Sequence, residues 1–344
     1  MSSYLERLRV QAGRNHVPLE VAIELTHHCN FRCQHCYIPN FSAPDLLTTE
    51  RVLLLLRELA EMGTLYLTLT GGELFLRRDW FEIARRAREL GFSLRLFSNA
   101  SLIDGPLADR IATLDCAVEV SFYSMNEETF ERVTARPGSF RATLGGVELL
   151  RARKVAVLLK IPVTTLNAGD YASVFDYARR IGAECRADFK IVAKKNGDLV
   201  PLGLRVSPEN AVPHTVCALP EEYADDPRRE GPLCAAGNRY ANITSSGDVM
   251  ACNILPGAAG NLRERSFREI WEGSPWLKRI RAIRRKDLPV CNTCPKFSYC
   301  GRCHAQALVE DGDILGPSSW ACAHAEALEK KAESNAGSLE TSPT

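Results

Sequence analysis

The chain has 344 residues with 45% hydrophobic content, so a normal buried core is expected, and its 43 basic and 42 acidic side chains leave a formal net charge of +1. That balance gives no electrostatic case for a nucleic-acid partner or an anionic membrane surface. No apolar run reaches transmembrane length, and the opening MSSYLERLRVQAGRN lacks the apolar core of a signal peptide. The protein is therefore expected in the cytoplasm, where its 13 cysteines read as metal ligands rather than disulfides.

Residues 1–19 form an N-terminal extension. Residues 21–25 (VAIEL) are a short apolar strand, and Cys29, Cys33 and Cys36 follow it with the spacing C-x3-C-x2-C. Thr48 or Thr49 can cap a helix through ERVLLLLRELAEM that stops at Gly63, and LYLTL (65–69) is the next strand. Asp79 can open the helix WFEIARRAREL, closed by Gly91, ahead of the strand FSLRLF. The segment IDGPLADRIATL is a short helix before the strand CAVEVSF (116–122). Ser139 can open FRATLGGVELLRAR, which leads to the strand VAVLLKI (155–161). Asp170 can cap YASVFDYARRI, closed by Gly182, and CRADFKIV is a sixth strand.

Six strand–helix alternations predict a parallel sheet with crossover helices. Six units fall short of a closed eight-stranded barrel. The expected α/β fold is a partial (β/α)6 TIM-like barrel over residues 20–192, with its site at the C-terminal strand ends. The three cysteines follow the first strand and TGGE follows the second, so both fall on that edge. Residues 193–233 read as a linker, 234–325 as a small cysteine-rich domain, and 326–344 as a polar, disordered tail.

Three thiolates can hold three irons of a cubane [4Fe–4S] cluster and leave the fourth open. A structural zinc site wants four ligands, which His28 or His35 could complete. Further on, Cys291, Cys294, Cys300 and Cys303 are spaced x2, x5, x2, a pattern that by itself suits a zinc ribbon as well as iron.

In its strand context, C-x3-C-x2-C resembles the signature of the radical S-adenosylmethionine (SAM) enzymes. The resemblance implies a [4Fe–4S] cluster on Cys29, Cys33 and Cys36 whose open iron chelates the amino and carboxylate groups of SAM. One electron then cleaves SAM to a 5′-deoxyadenosyl radical that abstracts hydrogen from a substrate. His35 fills the aromatic position before the last cysteine. Gly71, Gly72 and Glu73 match the family's GGE motif, where backbone and Glu73 receive the methionine amino group. Glycines allow close approach of backbone to a ligand, and a carboxylate meets an ammonium. Ser98 and Asn99, ending the third strand, match the ribose-contacting segment, and Ser121, ending the fourth, matches a polar ribose or carboxylate contact. Lys160 is the candidate for the methionine carboxylate.

The C-terminal cysteines resemble the SPASM domain, which carries two auxiliary [4Fe–4S] clusters. By position, Cys291, Cys294, Cys300 and Cys322 hold the outer one, and Cys234, Cys252 and Cys303 the inner. CGRC has x2 where the family usually has x3. Tyr240 stands where some relatives have a further cysteine, so the inner cluster has an open iron, or Cys217 or an oxygen ligand fills it. Asn253 replaces the aspartate that serves as base in sulfatase-maturing relatives, so that chemistry is not expected here.

The resemblance covers about residues 20–325 and implies a peptide maturase acting on a ribosomally made peptide. The alternatives are a radical enzyme acting on a small molecule such as a tetrapyrrole or cofactor precursor, and a non-catalytic iron–sulfur electron carrier or zinc protein. The first strand begins close to the N-terminus, so a separate leader-recognition protein is expected. The basic segment WLKRIRAIRRKDLP suits a flavodoxin or ferredoxin donor. Tyr123, Cys185 and Asp188 fall near the functional edge and are the candidates to donate a hydrogen or proton.

Overall fold

The computed structural model describes residues 4–212 and 232–339. In chain order these form α1 (Tyr4–Arg14), β1 (Glu20–Thr26), α2 (Thr49–Glu61), β2 (Tyr66–Gly71), α3 (Trp80–Glu89), β3 (Ser93–Ser98) and α4 (Gly105–Ala112). There follow β4 (Ala117–Ser121), α5 (Glu127–Thr134), α6 (Ser139–Ala152), β5 (Ala156–Pro162), α7 (Ser173–Ile181) and β6 (Glu184–Asp188). The rest comprises α8 (Pro208–Ala211), β7 (Tyr240–Ile243), β8 (Asp248–Met250), β9 (Ala258–Asn261), α9 (Phe267–Gly273), α10 (Pro275–Ala282), α11 (His304–Asp311) and α12 (Ser319–Leu339).

Local chemistry accounts for most of these boundaries. Thr48 Oγ1 accepts the Arg51 N–H at the start of α2, and Asp104 accepts the Leu107 N–H at the start of α4. α2 buries Val52, Leu55, Leu56 and Leu59, one stripe at helical spacing. Gly182 ends α7 in the left-handed region at φ 64°. Three expected caps differ. Asp79 makes no cap hydrogen bond, because its carboxylate is taken by Arg77 and by Thr49 Oγ1 at 2.6 Å. Gly138 precedes Ser139 as the cap of α6, and Ala172 occupies the cap position of α7 instead of Asp170.

The sheet order is β6-β5-β4-β3-β2-β1-β7-β8-β9. The first six strands are all parallel, as six successive crossovers require. β7 then adds to the free edge of β1 in parallel, with Glu20 opposite Tyr240, and β8 and β9 continue antiparallel. The chain divides into two compact units, Met1–Arg205 with Ala235–Arg281, and Val206–Cys234 with Ala282–Thr344.

Period-2 alternation sorts the two faces of the parallel strands. Leu67, Leu69, Leu94, Leu96, Val118, Val120, Val157, Leu159 and Ile161 are buried on the helix side. Thr70, Phe97, Glu119, Ser121, Lys160 and Pro162 share the other side and line a cavity.

In the second unit, α12 packs on α8 and on the 3-10 turn Pro295–Tyr299, where Lys296 pairs with Glu329 at 3.2 Å. The tail expected to be disordered is helical through Leu339. AEALEKKAE is rich in strong helix formers, and Glu326 and Lys330 form an i,i+4 pair. No helix among the described residues is long and apolar enough to cross a membrane.

Candidate active site

The cysteine loop is held from several sides before any ligand is considered. Gly72 N–H donates to Thr26 O and Glu73 N–H to His28 O, both at 2.8 Å, which joins the end of β2 to the start of the loop. A Cβ on Gly71 would lie 2.3 Å from Thr26 O, and one on Gly72 2.4 Å from His28 O. Only glycine fits there. The backbone these glycines approach is thus the cysteine loop itself. From the opposite side, the C-terminal carbonyls of α5 accept from the loop: Thr134 O from Arg32 N–H and Val133 O from Gln34 N–H, each at 3.1 Å. Those carbonyls are orphans of a helix end, and the loop satisfies them.

A cavity of about 440 Å³ opens at these strand ends. Its wall brings together Cys29, Cys33, Cys36, His35, Gly71, Gly72, Ser98, Asn99, Ser121, Tyr123, Lys160 and Asp188, twelve of the sequence-predicted residues. Burial pushes the Cys29 thiol up to about 11 and Cys33 to about 12, and raises Cys36. Binding iron must therefore displace protons from these thiols, a linkage that strengthens with pH. Asn99 Nδ2 donates to Asn30 Oδ1 at 2.8 Å and faces Cys29 Sγ at 4.0 Å. The Tyr123 hydroxyl lies 3.5 Å from Cys33 Sγ, with its ring edge-on to His35.

Two predicted residues are placed elsewhere. Glu73 is fully buried behind the wall. One carboxylate oxygen accepts from Ser98 Oγ (2.8 Å) and Phe75 N–H (3.2 Å), the other from Asn99 N–H (2.8 Å). With both oxygens engaged, Glu73 clamps the end of β3 and presents nothing to the cavity. Cys185 is also outside the wall. It pairs in register with Leu159, on the helix side of β5, whereas Asp188 pairs with Pro162 on the cavity side. Asp188 is exposed, and it accepts the Lys190 N–H at 2.9 Å.

The structure adds residues that the sequence reading did not name. Glu119, 6% exposed, faces the cavity with Lys160 Nζ at 3.2 Å and Arg95 Nη1 at 3.6 Å. Lys160 also lies over the Phe97 ring at 4.2 Å. An acid in the middle of AVEVS, in phase with Ser121, was a signal for it. Ile254 is a further such residue, and it lines the wall beside Asn253, which the sequence had singled out. The buried Glu24 and the half-buried Lys195 form an ion pair beside the cysteine loop.

The donor set suits a three-thiolate cluster and a polar ligand beside it. Three thiols converge on one wall, and burial holds His35 neutral, down to about 4. His35 Nδ1 is buried in that wall without a hydrogen-bond partner, which leaves a polar atom for a ligand to satisfy.

In the second unit, burial raises Cys300 to about 11, with the Cys322, Cys291 and Cys294 thiols adding to it, and raises Cys322 with Cys291 and Cys294 adding. Cys300 Sγ lies 3.9 Å from Ala321 O, next in the chain to Cys322. Of the expected inner set, Cys234 and Cys303 belong to the second unit and Cys252 to the first. Cys217 lies outside the described residues.

The chain matches the Radical SAM superfamily over residues 23–177 and the SPASM iron–sulfur cluster-binding domain over residues 234–295. It is 27% identical over 333 residues to an AdoMet-dependent heme synthase of Methanosarcina barkeri, covering 87% of this chain and 94% of that protein. It is 26% identical over 336 residues to a PqqA peptide cyclase of Granulibacter bethesdensis, covering 89% and 87%. Its fold is similar to that of Streptococcus suis SuiB bound to S-adenosylmethionine, with a TM-score of 0.73 at 15% identity over 92% of this chain and 81% of SuiB.

Proposed function

The chain belongs to the radical SAM superfamily and carries a SPASM iron–sulfur cluster-binding domain, and from that premise we propose that it modifies a ribosomally made peptide at an unactivated C–H bond. One observation carries the chemistry: three thiols, the strand-end glycines and a set of polar and charged side chains share one cavity. Similarity to PqqA peptide cyclases supports the substrate class.

When bound, the cluster and SAM supply a 5′-deoxyadenosyl radical that takes a hydrogen atom from the substrate. The chain's own residues hold and orient. Cys29, Cys33 and Cys36 hold the first [4Fe–4S] cluster and leave one iron without a protein thiolate. The backbone at Gly71 and Gly72 meets the methionine end of SAM, and Lys160 offers a cation to its carboxylate. Ser98, Asn99 and Ser121 supply hydrogen bonds to the ribose. Neutral His35 offers its unpartnered Nδ1. Glu73 acts through Ser98 and Asn99, by fixing where they stand. Tyr123 and Asp188 line the substrate space, and Asn253 closes it where an acid would otherwise serve as base.

Residues 20–192 form the radical core in this reading. Residues 234–325 form the auxiliary domain, with Cys291, Cys294, Cys300 and Cys322 holding the outer cluster and Cys234, Cys252 and Cys303 the inner. A separate leader-recognition protein presents the peptide, and a flavodoxin or ferredoxin supplies electrons, met by the exposed Lys278 and Arg279 of α10.

The heme synthase relatives favour a second reading, in which a tetrapyrrole takes the peptide's place. One experiment separates the two. Reduced, anaerobic enzyme is given SAM with either candidate precursor peptides or tetrapyrrole carboxylates, and products are read by mass spectrometry beside 5′-deoxyadenosine. A peptide mass change is the expected result. A changed tetrapyrrole with unchanged peptides overturns the substrate, and no 5′-deoxyadenosine under any condition overturns the enzyme.

A further inference from the structure

Glu24 lies in the second half of β1 (Glu20–Thr26), ahead of the cysteine loop, and is 0% exposed. A carboxylate there needs partners, because burying an unpaired charge is costly. His27 Nε2 lies 3.2 Å from it, Asn242 Nδ2 donates to it at 3.1 Å, and Lys195 Nζ meets both of its oxygens. Lys195 comes from the segment after β6. Its backbone N–H donates to Tyr37 O at 2.9 Å, and its ammonium lies 5.2 Å from the Tyr37 ring centroid. Tyr37 directly follows Cys36. A single residue therefore grips the chain on both sides of the three cysteines. The adjacent Lys194 is engaged elsewhere, pairing with Asp198 at 2.6 Å. Neither thiolate ligation nor SAM contact calls for this ion pair.

We propose that Lys195 is a positioning residue for the cysteine loop, and that the Glu24–Lys195 charge balance sets the reduction potential of the cluster the loop holds. This rests on the radical SAM reading above. Charges just outside a metal site tune it by acting on the charge it gains or loses. Reduction adds one negative charge. Removing the lysine cation disfavours the reduced cluster, and removing the carboxylate favours it.

The test is a redox titration of the holoenzyme at pH 8, following the electron paramagnetic resonance signal that responds to SAM, with iron counted on each variant. Lys195→Met should lower the reduced-to-oxidised ratio at fixed potential about tenfold, a shift of about 59 mV for a one-electron couple. Glu24→Gln should move it in the opposite direction. The double variant leaves no orphaned charge and should return near wild type in both potential and iron content. Lys195→Arg should restore any iron lost in Lys195→Met. Unmoved potentials in both single variants with full iron would overturn the proposal, as would shifts of the same sign. A wild-type protein with no SAM-responsive signal would instead overturn the functional reading, and this proposal with it.

Discussion

Two carboxylates, Glu24 and Glu73, are both fully buried, yet they behave in opposite ways because of their partners. Burial raises Glu73, and its neutral donors Asn99 N–H, Ser98 Oγ and Phe75 N–H do not offset that. Burial would raise Glu24 too, but His27 and Lys195 outweigh it and hold the carboxyl below its ordinary value of 4.5. The signs follow from linkage. The depressed Glu24 contributes stability above pH 4.5 that is lost as pH falls through its folded value. Glu24→Gln should thus lower stability at pH 7, and the gap to wild type should close below pH 4.5; denaturant unfolding at several pH values reads this, and a gap constant with pH would contradict it. Glu73→Ala leaves the Asn99 N–H and Ser98 hydroxyl without their acceptor, each worth about 1–3 kcal/mol when buried. It should lower the melting temperature of the iron-free protein and weaken SAM binding while the first cluster stays loaded. Unchanged melting together with unchanged SAM affinity would show that the clamp does nothing. Cys33→Ala differs in kind: it should remove the first cluster and with it SAM cleavage, seen as a loss of about four irons.

Elements place these residues, and α6 shows how tightly. Thr143 Oγ1 donates to Asn99 O at 2.9 Å, and a Cβ on Gly146 would lie 2.1 Å from Ala100 O. The helix therefore presses on the turn after β3, where Ala100 sits at φ 58°. Gly146→Ala should cost about 1–3 kcal/mol, as overpacking does, and should displace Asn99 enough to weaken SAM binding. Thermal unfolding and a SAM titration check both parts, and a fully stable variant would mean that the turn yields freely. β1 to β5 were legible because each is an apolar run bounded by a helix cap or a glycine, whereas β6, ECRAD, is polar and stops short of the expected CRADFKIV. The cysteine loop was legible because its spacing is local. α5 was missed because it shares one crossover with α6 and no strand separates them, yet its last carbonyls hold Arg32 and Gln34. β7–β9 were missed because YANI, DVM and AAGN are too short to carry a period. Lys195 could not be read at all, since nothing local ties it to Glu24. The sequence reading turned Glu73 toward SAM, whereas its carboxylate accepts from Ser98 and Asn99 behind the wall, a direction that depends on where β3 ends.

At the scale of the whole molecule, two of the three expected thiol sets each fall within one unit, whereas the third has Cys252 in the first unit and Cys234 and Cys303 in the second. Cys29, Cys33 and Cys36 lie in the first unit, on a loop fixed by β1, β2 and α5. Cys291, Cys294, Cys300 and Cys322 lie in the second, where α12, which carries Cys322, packs on the turn Pro295–Tyr299 between Cys294 and Cys300. No ligand of the first set comes from the second unit, so the outer cluster can be removed without touching the inner machinery of SAM cleavage. Fully reconstituted protein should hold about twelve irons, and Cys291→Ala with Cys294→Ala should hold about eight or fewer. The SAM-responsive signal should persist in that variant, and 5′-deoxyadenosine should still form. Substrate turnover should fall if, as we propose, the auxiliary clusters exchange an electron with the substrate radical once hydrogen has been taken. Iron analysis, the paramagnetic signal and product mass spectrometry on one preparation read all three. Full substrate turnover in the variant would show that the outer cluster is dispensable. Loss of the SAM-responsive signal would show instead that the two thiol sets are not independent.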